Sequence, residues 1–360
     1  MKWNSIRSSI LAAMAACLIV GVIGTLMLLR HNFAQNSHAL AVESVDGAQR
    51  LFSILEARET AKMVDVSDAL ATNPEVRDAL AARDRGRLLG LTAGLYSQLN
   101  ADGITNWMFH TTEPDMSVFL RLHNPAKFGD RLNRRMDNEV VRTHAIVAGN
   151  ELARAGFAAR MIRPVYDSNG QVIGYIEFGE EIGRFIHEMK SQTGDDYGLL
   201  LSKKFVDRRF WADTSASLHR RDNWDDHSTF VVADSTSASD RIIRFDGDLS
   251  AIGTHGEVLE RFDSRESAFV RGLFPIYDSS HNTAGAMFVQ RDISGIYTSM
   301  RNAQLLLAAL SVLGLVFGCG LTMMMLSHMV FNRMPHVVTV AMRLGEISKR
   351  ESDIQKGRPR

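Results

Sequence analysis

Cysteine is nearly missing from this chain, with 2 among 360 residues. Both, Cys17 and Cys319, lie inside apolar runs, so the long segment between those runs has no disulfide available. Its stability must come from an ordinary hydrophobic core, which a segment of that length can bury. Also absent are a Gly-rich phosphate loop, a His-Glu-x-x-His pair and a Cys-x-x-Cys pair. Enzyme chemistry finds no support, and no cofactor is implied. The histidines are scattered singly. His110 and His123 are the one pair read as near each other, and without a third ligand they make a poor metal site. Net charge is missing too, since 41 basic and 41 acidic residues cancel.

That balance hides an asymmetry built around two runs that contain no charge at all. Ile10 to Leu29 is 20 residues long and Leu305 to Leu326 is 22. A helix rises about 1.5 Å per residue, so either run is long enough for a hydrocarbon core of roughly 30 Å. Lipid offers no partner for backbone N–H and C=O groups, so runs that cross it must be helical. A cleaved signal peptide is the alternative for the first run. The run exceeds the 7–15 residues typical of signal cores, and Ala39-Leu40-Ala41 lies ten residues beyond its end. It is read as a retained anchor.

Basic residues set the orientation. The first 30 residues carry Lys2, Arg7 and Arg30 and no acid, and the tail after the second run is rich in Arg and Lys. The segment between, residues 31–331, holds 31 basic and 38 acidic side chains. Both ends are therefore expected in the cytoplasm and the acidic middle outside it, in a bacterial-type inner membrane. An exported, acidic domain argues against nucleic-acid binding. Gly314-x-x-x-Gly318 in the second run permits close helix approach, a weak sign of pairing.

After the first run, Leu51, Ile54, Leu55, Met63, Val66 and Leu70 recur at helical spacing, which predicts a stalk helix. Thr72-Asn73-Pro74-Glu75 breaks it and starts another helix, with Pro in the first turn. Past Asn100 the period becomes two, and 107–111, 117–123, 159–165 and 172–178 read as strands. Asp167-Ser168-Asn169-Gly170 joins the last two as a tight hairpin, and a helix follows from Ile182. Asp207 to Asp240 reads as irregular, with Arg208-Arg209 and Arg220-Arg221 on a solvated surface.

The strongest internal signal is a repeat. Arg163-Pro164-Val165-Tyr166-Asp167-Ser168 matches Phe274-Pro275-Ile276-Tyr277-Asp278-Ser279 at an offset of 111, which also relates Gly174 to Gly285 and Ile182 to Ile293. Two tandem copies of one small α/β unit are the economical reading, with Asp167 and Asp278 as turn caps. The fold expected is α+β: a stalk helix and two tandem PAS-like modules with antiparallel sheets, flanked by two transmembrane helices. The expected division is 1–9 cytoplasmic, 10–29 first span, 30–72 stalk, 73–190 membrane-distal module and 191–296 membrane-proximal module. An exit helix at 297–304, a second span at 305–327 and a cytoplasmic tail at 328–360 complete it.

These features resemble the double-Cache sensor domains of bacterial chemoreceptors, sensor kinases and cyclic-dinucleotide enzymes. The likeness is to a subgroup whose distal module reads Leu-Arg-Leu-His-x-Pro-x-x-Phe-Gly-Asp-x-Leu, here Leu120 to Leu132. Gly156-Phe157 with Arg160 and Pro164, then Gly174, Glu177 and Phe178, continue the pattern. The resemblance covers about residues 35–300 and is looser in the proximal module. It implies small-molecule sensing by the distal module and homodimers with packed stalks, in chemotaxis or related signalling.

Alternation places Phe119, Arg121 and His123 on one strand face, with Val118, Leu120 and Leu122 on the other packing on the long helix. Tyr175 and Glu177 share a face, Arg160 lies on an adjacent strand, and Trp107 is a further lining candidate. Arg offers a planar fork for a carboxylate or phosphate, so Arg121 with Arg160 points to an anionic ligand. The competing reading is a polar network in which Arg121 and Glu177 pair with each other or with Asp130. Tyr175 is read as pocket wall and Lys127 as solvated.

For output, Asn332-Arg333-Met334-Pro335 resembles the start of a HAMP first helix, with Val338, Met342 and Ile347 as an inner stripe. The residues after it are too few for both HAMP helices, so two readings stay open: a separate cytoplasmic signalling protein receives the signal, or the chain is a receptor remnant that lost its output. The rival class is a membrane subunit whose exported domain docks a protein partner.

Overall fold

The computed structural model describes residues 2–112, 116–153, 156–217, 219–237, 243, 245, 247–263 and 267–356. The tail residues 357–360 of the expected output segment lie outside them. Two compact units result: Ser37–Ser294, and residues up to Asn36 together with those from Gly295 onward.

Ser37–Ser294 begins within a single helix, α1 (Lys2–Thr72), which runs without a break from the first apolar stretch into the stalk. It ends where expected. Asn73 caps the next helix, α2 (Pro74–Ala81), its Oδ1 accepting from the N–H groups of Glu75 and Val76 at 2.9 and 3.3 Å. Pro74 takes the first helical position, where its missing N–H costs nothing. Then follow α3 (Arg85–Ala101), β1 (Asn106–His110), β2 (Val118–Arg121), α4 (Arg135–Thr143), β3 (Val147–Ala153), β4 (Gly156–Tyr166), β5 (Val172–Glu181) and α5 (Gly183–Thr193).

The second half repeats the scheme with β6 (Asp196–Ser202), α6 (Arg208–Ser217), β7 (Phe230–Ser235), β8 (Glu257–Asp263), β9 (Ala268–Tyr277) and β10 (Thr283–Asp292). The stretch read as irregular thus holds a helix and a strand, α6 and β7. Each half has one five-stranded antiparallel sheet, in the orders β2-β1-β5-β4-β3 and β7-β6-β10-β9-β8. Strand for strand, the two sheets have one topology.

The repeated hairpin is also the same turn twice. Asp167 Oδ1 accepts from the N–H groups of Asn169 and Gln171, both at 2.8 Å, and Asp278 Oδ1 does the same for Ser280 and Asn282. The left-handed position falls on Gly170 in the first turn and on His281 in the second.

One face of each sheet packs on helices in a single apolar cluster. Trp107, Phe109, Leu120 and Phe178 meet Met63, Leu80 and Leu88 there, and Phe274, Ile276 and Met287 meet Val45, Phe52 and Leu55. Leu120 and Leu122 belong to this cluster, as alternation predicted. The opposite faces differ. In the second sheet that face is apolar, with Leu200, Phe230, Phe245, Leu273 and Phe288 packed together. In the first it holds buried charge.

In the other unit, α7 (Ser294–Lys356) is one helix through the expected exit segment, second span and tail. Phe33 of α1 and Tyr297 of α7 approach with ring centroids 6.0 Å apart. α1 and α7 are both long and apolar enough to cross a membrane, and Leu313 and Phe317 expose 69% and 72% of their surface.

Candidate ligand-binding site

The buried charge of the first sheet centres on Glu177, which is fully buried. Strand register explains the grouping. Met108 of β1 and Ile162 of β4 pair with Glu177, so these three share a face. Arg160, two residues before Ile162, and His110, two after Met108, project to that same side. Arg160 pairs with Gly179, where a Cβ would come within 3.3 Å of its guanidinium; the glycine leaves it room.

Glu177 accepts from three side chains. Arg134 forms a fork, with Nη1 to Oε1 at 2.8 Å and Nη2 to Oε2 at 2.5 Å. Arg160 Nη1 donates to Oε1 at 2.8 Å, and His110 Nε2 lies 2.8 Å from Oε2. Arg134 itself precedes α4, and Asp137 secures it: Oδ2 accepts from the Arg134 backbone N–H at 2.9 Å and Oδ1 from Nη2 at 2.8 Å. Glu151 of β3 completes the cluster, 3.4 Å from Arg134 and 3.7 Å from Arg160. Tyr175, with Met116, Met136, Val140 and Ile162, forms the apolar patch beside it.

Burial raises the Glu177 carboxyl, but the Arg134 charge and the His110 hydrogen bond outweigh it and hold the group well below its ordinary value. Glu151 goes the other way. Burial lifts it, Arg134 and Arg160 oppose, and Asp137 and Glu177 add to the rise. The cluster thus holds one firmly ionised carboxylate between two guanidiniums and a second carboxyl that takes a proton more easily.

Arg121 pairs with Met108 in the strand register and so lies on the Glu177 face, as expected, but its guanidinium turns to the loop after β2. It forks onto Asp130 at 2.6 and 2.8 Å and donates to the Lys127 carbonyl at 2.9 Å. Of the two open pairings, Arg121 with Asp130 is the one formed, and Glu177 pairs with Arg134 and Arg160 instead. Arg121 staples the loop that runs from Leu122 to Asp130, and its charge pulls the Asp130 carboxyl down. Gly129 supplies a φ of 88° in that loop, and the Arg85 guanidinium sits 3.4 Å over the Phe128 ring at its tip. Much of the Leu120–Leu132 string is therefore the chemistry of one closed loop.

β2 ends at Arg121, so the alternation read through His123 stops short, and His123 is exposed on the loop with Lys127. Phe119 is partly buried against the main apolar cluster. Trp107 is a correction: it sits on the helix-packed face, its ring centroid 5.0 Å from Phe178 and 5.7 Å from Phe109. Neighbouring residues of β1 point to opposite faces, so Trp107 faces away from Glu177 and His110. Arg160, Tyr175 and Glu177 are brought together. Arg134, Asp137, Glu151 and the bond from His110 were missed, because α4 and β3 were not read from the sequence.

The repeat sharpens the contrast between modules. At the same offset of 111, Glu177 corresponds to Phe288, Tyr175 to Ala286 and Arg160 to Arg271. The face that is ionic in the first sheet is filled by phenylalanine in the second.

Two five-stranded antiparallel sheets in tandem, behind a long N-terminal helix, fit a double sensory domain. A double-Cache family model, described as the double sensory domain of two-component sensor kinases, matches residues 48–248. The chain belongs to that family. No curated protein matches it. Among solved structures it is similar to the periplasmic domain of Vibrio cholerae LuxQ, at 12% identity and TM-score 0.43, covering 71% of this chain and 99% of that one. It is also similar to the ligand-binding domain of the Campylobacter jejuni chemoreceptor Tlp3 in complex with 4-methylisoleucine, at 9% identity and TM-score 0.43, covering 72% and 91%. A third is the E. coli DcuS sensor domain, at 17% identity and TM-score 0.31, covering 38% of this chain and 98% of that one.

Proposed function

We propose that this chain is a membrane-anchored sensor whose distal module binds a small molecule carrying a carboxylate, at the Glu177 cluster. One observation carries the reading: a fully buried carboxylate sits between Arg134 and Arg160 on the face where the second module has Phe288. Buried ion pairs are seldom kept for stability alone, since apolar residues of similar volume do as well or better. In the arrangement described, the Glu177 carboxylate takes the place a ligand carboxylate would take. Binding exchanges one for the other, and α4 with the stapled loop would have to move to admit it.

Such an exchange biases two arrangements of the domain only as far as the ligand prefers one of them. β5 carries Glu177 and leads into α5 and the second sheet, and β10 of that sheet leads into α7. α1 and α7 are read as membrane spans, with both termini cytoplasmic and the sheets outside. α7 carries the change across the membrane, in chemotaxis or a related signalling pathway, with no catalytic step in this chain. Homodimers through the stalk and a cytoplasmic partner belong to the same reading.

A thermal-shift screen of the detergent-solubilised full chain against small carboxylic and amino acids tests it. Stabilisation by a carboxylate that disappears in Arg160→Ala is the expected result. No stabilisation by any of them, together with a stable protein partner in pull-down, favours a docking subunit instead.

A further inference from the structure

The two modules differ at one sheet edge. Between β1 and β2 the first sheet has only residues 111–117, whereas between β6 and β7 the second has 203–229. The longer connection carries α6 and is then pinned to β7. Asn223 Nδ2 donates to the Val232 carbonyl at 2.8 Å, and Arg220 Nη1 to that of Ala233 at 2.7 Å. Arg208, at the start of α6, ion-pairs with Asp222 at 2.8 Å and so ties the helix to the same stretch.

This connection walls a cavity of about 350 Å³ within Ser37–Ser294, a size suited to a small ligand. Phe157 of β4 and Leu199 of β6 line it together with Trp211 and Asn223. The last two each hold a buried polar atom with no hydrogen-bond partner among the described residues, the Nε1 donor of Trp211 and the Oδ1 acceptor of Asn223. Asn223 has only 6% of its surface exposed. Buried donors and acceptors nearly always have partners, so one unmet group of each kind on the same wall marks a place for a molecule that supplies both.

Charge narrows the class. Arg220, Arg221, Glu181 and Asp234 also line the cavity, two bases against two acids. Arg221 forks onto Asp226, Arg220 lies 3.8 Å from Asp234, and Glu181 is exposed to water. No buried charge is left to call for an ion. An amide carries an acceptor and a donor side by side without charge, and the indole of Trp211 offers a flat apolar wall for a ring.

We propose that this cavity is a second ligand site, for a small uncharged cyclic amide of the lactam or nucleobase kind. The ring lies against Trp211, Phe157 and Leu199, its carbonyl accepts from Trp211 Nε1, and its N–H donates to Asn223 Oδ1. Phe157 belongs to the first sheet and the other wall residues to the second half, so the occupant touches both modules. The site shares no residue with the Glu177 cluster, and the inference stands whether or not a carboxylate binds there.

Isothermal titration of the detergent-solubilised full chain with 2-pyrrolidone, uracil and hypoxanthine tests it. The expected result is binding of at least one, weakened roughly three- to tenfold in Trp211→Phe, which keeps a ring wall and drops the N–H. Methylating the ring nitrogens of that probe should weaken its binding to the wild type at least as much, a comparison that needs no variant to fold. Benzoate, a flat anion without an N–H, should give no binding that Trp211→Phe changes. The proposal is overturned if none of the three binds, if the methylated probe binds as well as its parent, or if a folded Trp211→Phe keeps the wild-type affinity. Benzoate binding that Trp211→Phe abolishes would overturn it too.

Discussion

Glu177 and Phe288 occupy the same place in two copies of one structural unit, 111 residues apart, yet one is the centre of an ion cluster and the other of an apolar layer. Interchanging the two chemistries should therefore fail in both directions. Phe288→Glu puts an unpaired carboxylate among Leu200, Phe230 and Leu273, and should cost more than about 4 kcal/mol. Urea unfolding would show it as loss of the cooperative transition, or a large fall in its midpoint.

Removing the carboxylate at Glu177 leaves Arg134 and Arg160 buried and under-neutralised. Glu177→Ala should destabilise by about 3–5 kcal/mol, the usual cost of breaking a buried pair by deleting one partner. Adding Arg160→Ala to it should cost less than the sum of the two single changes, because both act on one network. Chemical denaturation of the three variants measures this.

The pH dependence follows from two buried carboxyls. The folded protein holds Glu177 well below its unfolded value, so its contribution is complete above the ordinary carboxylate range and is lost as pH falls through and below it. Glu180, near the end of β5, has the opposite sign. Burial pushes its carboxyl up to about 7 in the folded protein, above the unfolded value, so its contribution is present in acid and fades as pH rises toward and through 7. Unfolding free energy measured against pH should show an acid limb missing in Glu177→Gln and a near-neutral fall missing in Glu180→Gln.

Arg121→Ala should act locally. Asp130 keeps access to water when its partner goes, with 41% of its side chain exposed, so global stability should change by only about 1 kcal/mol. The loop is another matter. Hydrogen exchange at Gly129 and Val118, whose N–H groups bond across the loop to the carbonyls of Val118 and Asp130, should accelerate markedly.

Much of this fold could be read directly, and the reasons are local. Asn73 and Pro74 carry their own cap chemistry. Asp167 and Asp278 close turns with their own side chains, so a repeat of six residues is enough to find them. β3 was lost because Val147-Ala148-Gly149-Asn150-Glu151 shows no clean alternation. α4 was lost because its cap is an arginine, Arg134, not one of the short polar residues that usually mark a helix start. With those two elements went Glu151 and also Arg134, whose partner Glu177 is distant along the chain. Trp107 could have been placed correctly. It alternates with His110 along one strand, and that parity alone puts it on the helix-packed side.

The central claim is that Glu177 holds the place of a ligand carboxylate. Isothermal titration of the full chain with a stabilising carboxylate, in wild type, Glu177→Gln and Arg160→Ala, tests it most directly. Glutamine no longer competes as an anion, so Glu177→Gln should bind about tenfold tighter or more, equivalent to at least roughly 1.4 kcal/mol, while Arg160→Ala should lose binding. Equal affinity in all three proteins would contradict the account.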